Sequence, residues 1–528
     1  MSDKCKARDI KAGQVTFMRR LRDDTRGNAL MMTAGMMIPL VGIIGCGVDI
    51  SRAYVVKTRL QQACDAGVLG GRKVMTAAGL DSNVTSEVQK FVNYNFPQQT
   101  MDTTTFSIVP TAGADNSVNL SLVTQMPTSL MKVLGFSTLP IGATCTARQD
   151  FVNTDVVLVL DTTGSMNCLP TDGPSVNCPT EKSGSKIQAL RSAVTAFYNA
   201  LKPAQDTLEA KGLRLRYGVV PYSSNVNVGK LLLSTNSGWL NQSSYYRNCS
   251  TAFSNGSLCP SSAAPRLVDH GAVSTSTPWW NSTWSGCIEE RQTVNSITTS
   301  SGYTPPSNAY DLDLSMVPTS DPKTKWNAHD PASEGVKYTA TSGNPTAGYA
   351  CPSPALNLQA VPNVATMNSY TNSLVAVGGT YHDIGLMWGG RMLAQNGLWA
   401  SNNPSTYNGF PVNRDIIFMT DGALDTQPFI YSAWGYEQFD RRATSTGVKA
   451  SDDDTHLQRF RMMCNAVKGM NVNIWVIAFG TSAGTGLSAE MVNCASSSSQ
   501  AFKASNQADL VAQFTQIGQT IGALRLSQ

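Results

Sequence analysis

The chain has 528 residues and a formal net charge of +4, with 14% of its residues charged. That length exceeds one ordinary core, so two or more domains are expected, and the near-neutral balance argues against a nucleic-acid surface. Twelve cysteines beside only four histidines, with no C-x-x-C pair, argue against zinc and for disulfides formed in oxidising surroundings.

Residues 1–26 form a basic tail, carrying Lys4, Lys6, Arg8, Lys11, Arg19, Arg20, Arg22 and Arg26. Ala29 to Val48 then supplies 20 residues without a charge, enough to cross a bilayer as a helix. The basic flank predicts a cytoplasmic amino terminus and an external bulk. The run is longer than a signal-peptide core and no A-x-A site follows, so it is read as an uncleaved anchor. Val56, Leu60, Ala63, Cys64 and Val68 continue the helical spacing, which predicts one transmembrane and juxtamembrane helix over 27–75 with Pro39 inside it. Gly35, Gly42, Gly45 and Gly47 give that helix a thin face for close helix packing.

Residues 76–150 read as a small β-rich spacer, with strands at Thr104 to Val109, Val118 to Thr124 and Leu139 to Arg148 and a turn at Gly113 and Asn116. The next domain, 151–528, opens on DVVLVLDTTGSM. Val156 to Leu160 form a continuous apolar run suited to a parallel strand buried on both faces. Asp161, Thr163 and Ser165 alternate in the turn that follows, so one tight loop can aim three oxygens at one spot. Hard oxygen donors of this kind suit Mg²⁺. Cys168 and Cys178 lie beside that turn and are read as a disulfide stiffening its rim, since oxygen sites rarely mix in sulfur.

Ile187, Leu190, Val194, Phe197 and Leu201 predict an amphipathic helix, and Leu215 to Tyr222 the next strand. From 225 to 372 the pattern dissolves into Ser, Thr, Asn, Pro and Gly with interspersed tryptophans, which predicts an inserted subdomain rather than a loop of that length. Its tryptophans are read as core, and Cys249, Cys259, Cys287 and Cys351 could staple it in any of three pairings. Gly378-Gly379-Thr380 then delivers a hydroxyl to the start of a helix. Neighbouring His382 and Asp383, and Asp425 four residues after Asp421, could support the site from behind; the preferred reading is exposed loop residues. Asp415 to Met419 predicts a second buried strand, closed by Thr420-Asp421-Gly422, and Asn473 to Phe479 the last one. Cys464 and Cys494 flank that last strand and can bridge neighbouring elements. A final helix carries Leu510, Phe514, Ile517 and Ile521 on one face, capped by Ser505 or Asn506.

DxTxS, GGT followed by GL, and DIIFMTDG, in that order, resemble the von Willebrand factor A domain with its metal-ion-dependent adhesion site. The resemblance implies an α/β fold, Rossmann-like, with a parallel sheet flanked by helices. It also implies a divalent cation, Mg²⁺ or alternatively Mn²⁺ or Ca²⁺, held by Asp161, Thr163, Ser165, Thr380 and Asp421, with one position left for a partner's carboxylate. Thr163 stands where the family usually has serine, keeping the hydroxyl and adding a stiff methyl. Arg26 to Ala29, the apolar span, Asp49 to Tyr54, the LQQACDAG stretch and the closing helix resemble a second family, the bacterial tight-adherence (Tad) pilus-assembly proteins of the TadE and TadG type. In the TadG type the anchor precedes a von Willebrand factor A domain, the order found here.

No G-x-S-x-G occurs and the four histidines lack a motif context, so no enzyme is expected. The resemblances imply an inner-membrane, single-pass protein whose metal site binds an acidic side chain of an envelope partner during Tad/Flp pilus assembly or anchoring. The alternative is a surface adhesin for host or matrix ligands.

Overall fold

The computed structural model describes residues 27–75, 79–113, 117–147, 152–173, 176, 178–247, 265–331, 333, 351–480 and 487–522. The basic tail and Cys249 and Cys259 lie outside these residues. The chain divides between Gln149 and Asp150 into two compact units.

In the first unit, α1 is a single 48-residue helix, Gly27–Val74, with Pro39 inside it. Its first half exposes Met31, Met32, Met36, Ile43 and Ile44, whereas Val56, Leu60, Ala63, Cys64 and Val68 of the second half are buried. The same helix is therefore uncovered over its apolar first half and packed over its second. Gly67, Gly70 and Gly71 let α2, Ser82–Asn95, lie against it. A Cβ at these positions would fall 2.5 Å from Val92, 2.4 Å from Phe91 and 2.3 Å from Val88. Helix α2 occupies part of the stretch expected as β-rich. Its signals were local: Asp81 caps the Val84 N–H at 2.9 Å, and Val84, Val88 and Val92 bury one stripe.

A three-stranded antiparallel sheet completes the unit, with β1 Thr111–Ala112, β2 Val118–Pro127 and β3 Thr138–Ala147 in that order. The strand expected at Thr104 to Val109 is displaced to β1. Pro110 has no N–H to give a ladder, so pairing starts only beyond it. The turn expected at Gly113 and Asn116 closes between Ala112 and Val118, though Asn116 itself is outside the described residues. A disulfide ties Cys64 of α1 to Cys145 of β3, across 81 residues of sequence.

The second unit is built on β4, Asn153–Asp161, all nine of whose residues are buried. Parallel neighbours are β5, Leu215–Tyr222, and β7, Phe410–Thr420, on its two sides. The order is β6-β5-β4-β7-β8-β9, where β6 is Leu356–Gln359, β8 Asn473–Phe479 and β9 Ala501–Ala504. Only β6 runs antiparallel within that order, and Thr406–Tyr407 folds back on β7. Because the chain passes from β4 to β5 and β6 on one side and then crosses back to β7 on the other, the switch point lies between the carboxyl ends of β4 and β7. Helices α3, Lys186–Ala210, and α7, Gln507–Gly522, pack together on one face, with Phe197 edge-on to Phe514 at 6.1 Å. Asn506 caps α7 by accepting from the Asp509 N–H at 3.0 Å. Ile521 is only partly buried.

The stretch 225–372 is no separate module. Its Trp239, Trp280, Trp284 and Trp326 join Tyr381, Trp388 and Met392 in one core with Val157 and Val159 of β4. It also contains strand β6 and helix α4, Val364–Thr371, which belong to the layered sheet and its α3 side. A four-residue edge strand carries too little pattern to be separated from loop. Cys287 pairs with Cys351, and Cys464 with Cys494.

Candidate metal centre

Asp161 ends β4 and is fully buried. One carboxylate oxygen accepts the Thr163 N–H at 2.9 Å, and the other the Thr420 hydroxyl at 2.8 Å. The turn that follows places Thr163 Oγ1 and Ser165 Oγ 3.0 Å apart. Ser165 Oγ in turn donates to Asp421 Oδ1 at 2.9 Å, so the end of β7 meets the end of β4 through side chains as well as through the ladder. Asp421 Oδ2 accepts from the ammonium of Lys186, the first residue of α3, at 2.8 Å, and both groups are buried.

The third segment is held by its backbone. Gly164 N–H donates to Gly378 O at 2.9 Å, and Val377 N–H to Thr162 O at 2.8 Å. Gly378 takes φ = 79°, a conformation that favours glycine. Thr380 pairs with Asp425 through both backbone bonds, 3.0 and 3.1 Å, leaving Thr380 5% exposed beside the turn. The structure therefore links Asp161, Thr163, Ser165 and Asp421 through side-chain contacts, directly or by way of Thr420. It brings Thr380 to the same loops by main-chain contacts.

Electrostatically the cluster is unbalanced. Two buried carboxylates, Asp161 and Asp421, share a single buried ammonium, Lys186. Burial, and next the charge on Asp421, push the Asp161 carboxyl up to about 7, against the pull of its hydrogen bonds from Thr163 and Thr420. A divalent cation would relieve that strain. The donor chemistry fits, because all five candidate side chains offer oxygen. Adjacent ligands of an octahedral Mg²⁺ at 2.0–2.1 Å stand about 2.9–3.0 Å apart. The Thr163 and Ser165 oxygens have that spacing, whereas the longer bonds of Ca²⁺ would spread them further. Ser165 turns its proton to Asp421, so Thr163 donates across the 3.0 Å gap, and each hydroxyl keeps a lone pair for a cation.

Sequence reasoning missed two participants, Lys186 and Thr420, and preferred the exposed reading for a third, His382. Lys186 was readable only as the start of an amphipathic helix. Thr420 reads only as part of the Thr420-Asp421-Gly422 turn that closes the strand, whereas it is the strand's last residue. His382 and Asp383, expected as exposed loop residues, are fully buried, because they open α5, His382–Leu393, which packs into the core. His382 Nε2 lies 3.1 Å from Thr420 Oγ1. Since that hydroxyl gives its proton to Asp161, His382 is the donor, and burial holds it neutral with its pKa down to about 4. The chain His382–Thr420–Asp161 thus fixes the carboxylate from behind. Asp425 is exposed as expected and pairs with Lys449 at 2.6 Å. Cys168 and Cys178 form the rim disulfide, so neither offers a thiolate beside Asp172.

The second unit thus has the α/β arrangement expected of a von Willebrand factor A domain, with its oxygen cluster at the switch point, and an apolar helix precedes it in the sequence. Residues 27–78 match the family model described as putative Flp pilus-assembly TadE/G-like. That match covers the anchor alone, and the α/β unit follows it in the sequence, the order expected of the TadG type. No curated protein matches it. Among solved structures, the chain is similar to the vWF domain of the type V pili tip protein Mfa5 from Porphyromonas gingivalis, at 12% identity and a TM-score of 0.33, over 72% of this chain and 99% of that one. It is similar to the pilus adhesin SpaC from Lactobacillus rhamnosus GG at 13% identity and a TM-score of 0.33, over 79% of this chain and 34% of that one. This chain therefore spans about a third of SpaC. The PilB minor pilin from Streptococcus sanguinis gives 10% identity and a TM-score of 0.32, over 81% and 80%.

Proposed function

We propose that this protein is anchored in the inner membrane by α1, with its amino terminus cytoplasmic, and that its second unit holds Mg²⁺ through Asp161, Thr163, Ser165, Thr380 and Asp421. The bound cation supplies a Lewis-acidic position for an acidic side chain of an envelope partner, and that contact serves Tad/Flp pilus assembly or anchoring. One observation carries the reading: oxygens from the β4 turn and the end of β7 meet in a buried cluster whose two carboxylates have one ammonium between them, with the Thr380 segment held beside it by main-chain bonds. The chain's own residues divide the work. Thr420 and His382 orient Asp161, Ser165 and Lys186 orient Asp421, and the Cys168–Cys178 disulfide holds the rim.

The test replaces the chromosomal gene by an Asp161→Ala variant and compares it with a deletion. Loss of pili in both, with the variant retained at wild-type level in the inner-membrane fraction, is the expected result. Normal piliation in both, with the protein exposed at the cell surface, would instead support the adhesin reading.

A further inference from the structure

Between β2 and β3 the chain makes a short 3₁₀ turn, Met131–Leu134, whose side chains are nearly all apolar and largely uncovered. Val133 is 81% exposed, Phe136 57%, Leu134 52% and Leu130 43%. A hairpin connection on a water-facing sheet has no reason to collect four such residues. The turn lies against α1 at a particular height. Leu130 approaches Gly45, where a Cβ would fall 2.8 Å from its own, and Leu134 approaches Gly42, where the gap would be 3.9 Å. Leu134 also closes a groove lined by Pro39, Ile43 and Cys46. Two of the glycines expected to serve helix association thus make room for this loop, while a Cβ at Gly35 or Gly47 would meet nothing within 4 Å.

The loop is also locked at that height. Asp49, the first charged residue after the apolar run, is fully buried and accepts the N–H groups of Ser129 at 2.8 Å, Leu130 at 2.8 Å and Met131 at 2.7 Å. Arg52, one turn further on, donates to the Ser129 hydroxyl. The polar end of the loop is therefore pinned where α1 becomes polar, and its apolar end reaches back along the span. Gly42 is seven residues before Asp49, about 10 Å along the helix axis.

We infer that Leu130 to Phe136 is a membrane-dipping loop, inserted into the outer-leaflet lipid beside α1 when the helix spans the bilayer. The inference rests on the proposed anchor and goes beyond it, since it gives the sheet of the first unit a second point of membrane attachment. Lipid is the occupant because the loop's apolar surface is continuous with the exposed apolar surface of the span, Met31 to Ile44. A depth of about 10 Å is that of apolar faces buried at the headgroup and acyl boundary. Exposed Lys132 can reach the lipid phosphates from the same turn. The first unit is then fixed in rotation and tilt, not merely tethered.

The test uses the purified full chain in vesicles of phosphatidylethanolamine and phosphatidylglycerol with radiolabelled lipid. A photo-crosslinking p-benzoylphenylalanine is carried in turn at Val133, at Ile43 in the span, and at Tyr94. Tyr94 is 84% exposed, on α2, which packs about 20 residues beyond Asp49 along α1. All three side chains are exposed, so the substitutions leave the fold intact. Val133 should label lipid to within about three-fold of Ile43, and both at least about five-fold above Tyr94. Lipid labelling at Ile43 but not at Val133 overturns the loop and leaves the anchor standing. No lipid labelling at Ile43 overturns both. An adduct at Val133 of twice the protein's mass, in place of the lipid adduct, assigns the patch to a second copy and overturns the lipid assignment.

Discussion

Two buried clusters of carboxylates in the second unit look alike in composition and differ in their countercharge. In the core beside the 225–372 stretch, Glu290, Asp311 and Asp383 pair with Arg391 and Arg459, while Arg291 donates to the Met316 and Asp313 carbonyls beside them, all with negligible exposure. Arg391 reaches Glu290 at 2.9 Å, and Arg459 reaches Asp383 at 2.9 Å and Asp311 at 2.5 Å. Trp326 and Trp388 donate to Glu290 at 3.0 and 2.7 Å, and Trp434 to Asp311 at 3.0 Å. At the ends of β4 and β7, Asp161 and Asp421 have Lys186 as their one paired cation among the described residues, with hydroxyls and the Thr163 N–H as the other donors. The first cluster carries its cations on fixed side chains. The second leaves a charge unmatched, and that is where the proposed cation would sit. Counting fixed countercharge, rather than counting carboxylates, separates a structural network from an ion site.

The comparison can be broken first at the balanced cluster. Arg391→Met strands Glu290 in the core and should cost about 3–5 kcal/mol of unfolding free energy in urea titrations. Because that network needs no metal, adding Mg²⁺ should not restore the loss. Restoration by Mg²⁺ would erase the distinction between the clusters. At the other cluster, Lys186→Met removes the one ammonium beside Asp421. The variant should bind Mg²⁺ about ten-fold more tightly than the unmodified protein, since a unit positive charge no longer opposes the cation. The same variant should be less stable than the parent in the absence of Mg²⁺.

Protons sharpen the same point. The Asp161 carboxyl, pushed up to about 7 chiefly by burial, must ionise before it can hold a cation. Protons therefore compete below that value, and calorimetric Mg²⁺ affinity should fall about ten-fold between pH 8 and pH 6. The stability sign agrees. A carboxyl raised on folding favours the metal-free fold at low pH, and that contribution is lost as pH rises from the unfolded value of about 4 to about 7. The thermal shift given by Mg²⁺ should consequently be larger at pH 8 than at pH 6. The smallest effect belongs to Thr163→Ser, which keeps the oxygen and removes a methyl. Its Mg²⁺ affinity should lie within about three-fold of the parent, measured in the same titration.

The sequence was most legible where the chemistry is local. Asp161, Thr163 and Ser165 sit in one turn after an unbroken apolar strand, and β4, β5, β7 and β8 could each be read from their own apolar runs. What it concealed was set by long-range packing. Asp383 is polar and next to a glycine loop, yet a guanidinium 76 residues away and His456 pay its desolvation. Lys186 reads as an ordinary first-turn residue until β7 brings Asp421 to it. Strand β6 is four residues long, and the Cys64–Cys145 pairing follows from how α1 meets β3, which no spacing reveals. Helix α2 is a different case, because its cap and valine stripe were present in the sequence and were outweighed by the neighbouring strand signals.

The most direct test of the unmatched charge is isothermal titration of the full chain with Mg²⁺ at pH 8, alongside Asp161→Ala and Asp421→Ala. We expect one site per chain in the unmodified protein, no measurable binding in Asp161→Ala and weakened binding in Asp421→Ala. An unmodified protein that gives neither heat nor thermal shift, or an Asp161→Ala variant that binds as the parent does, would contradict the account.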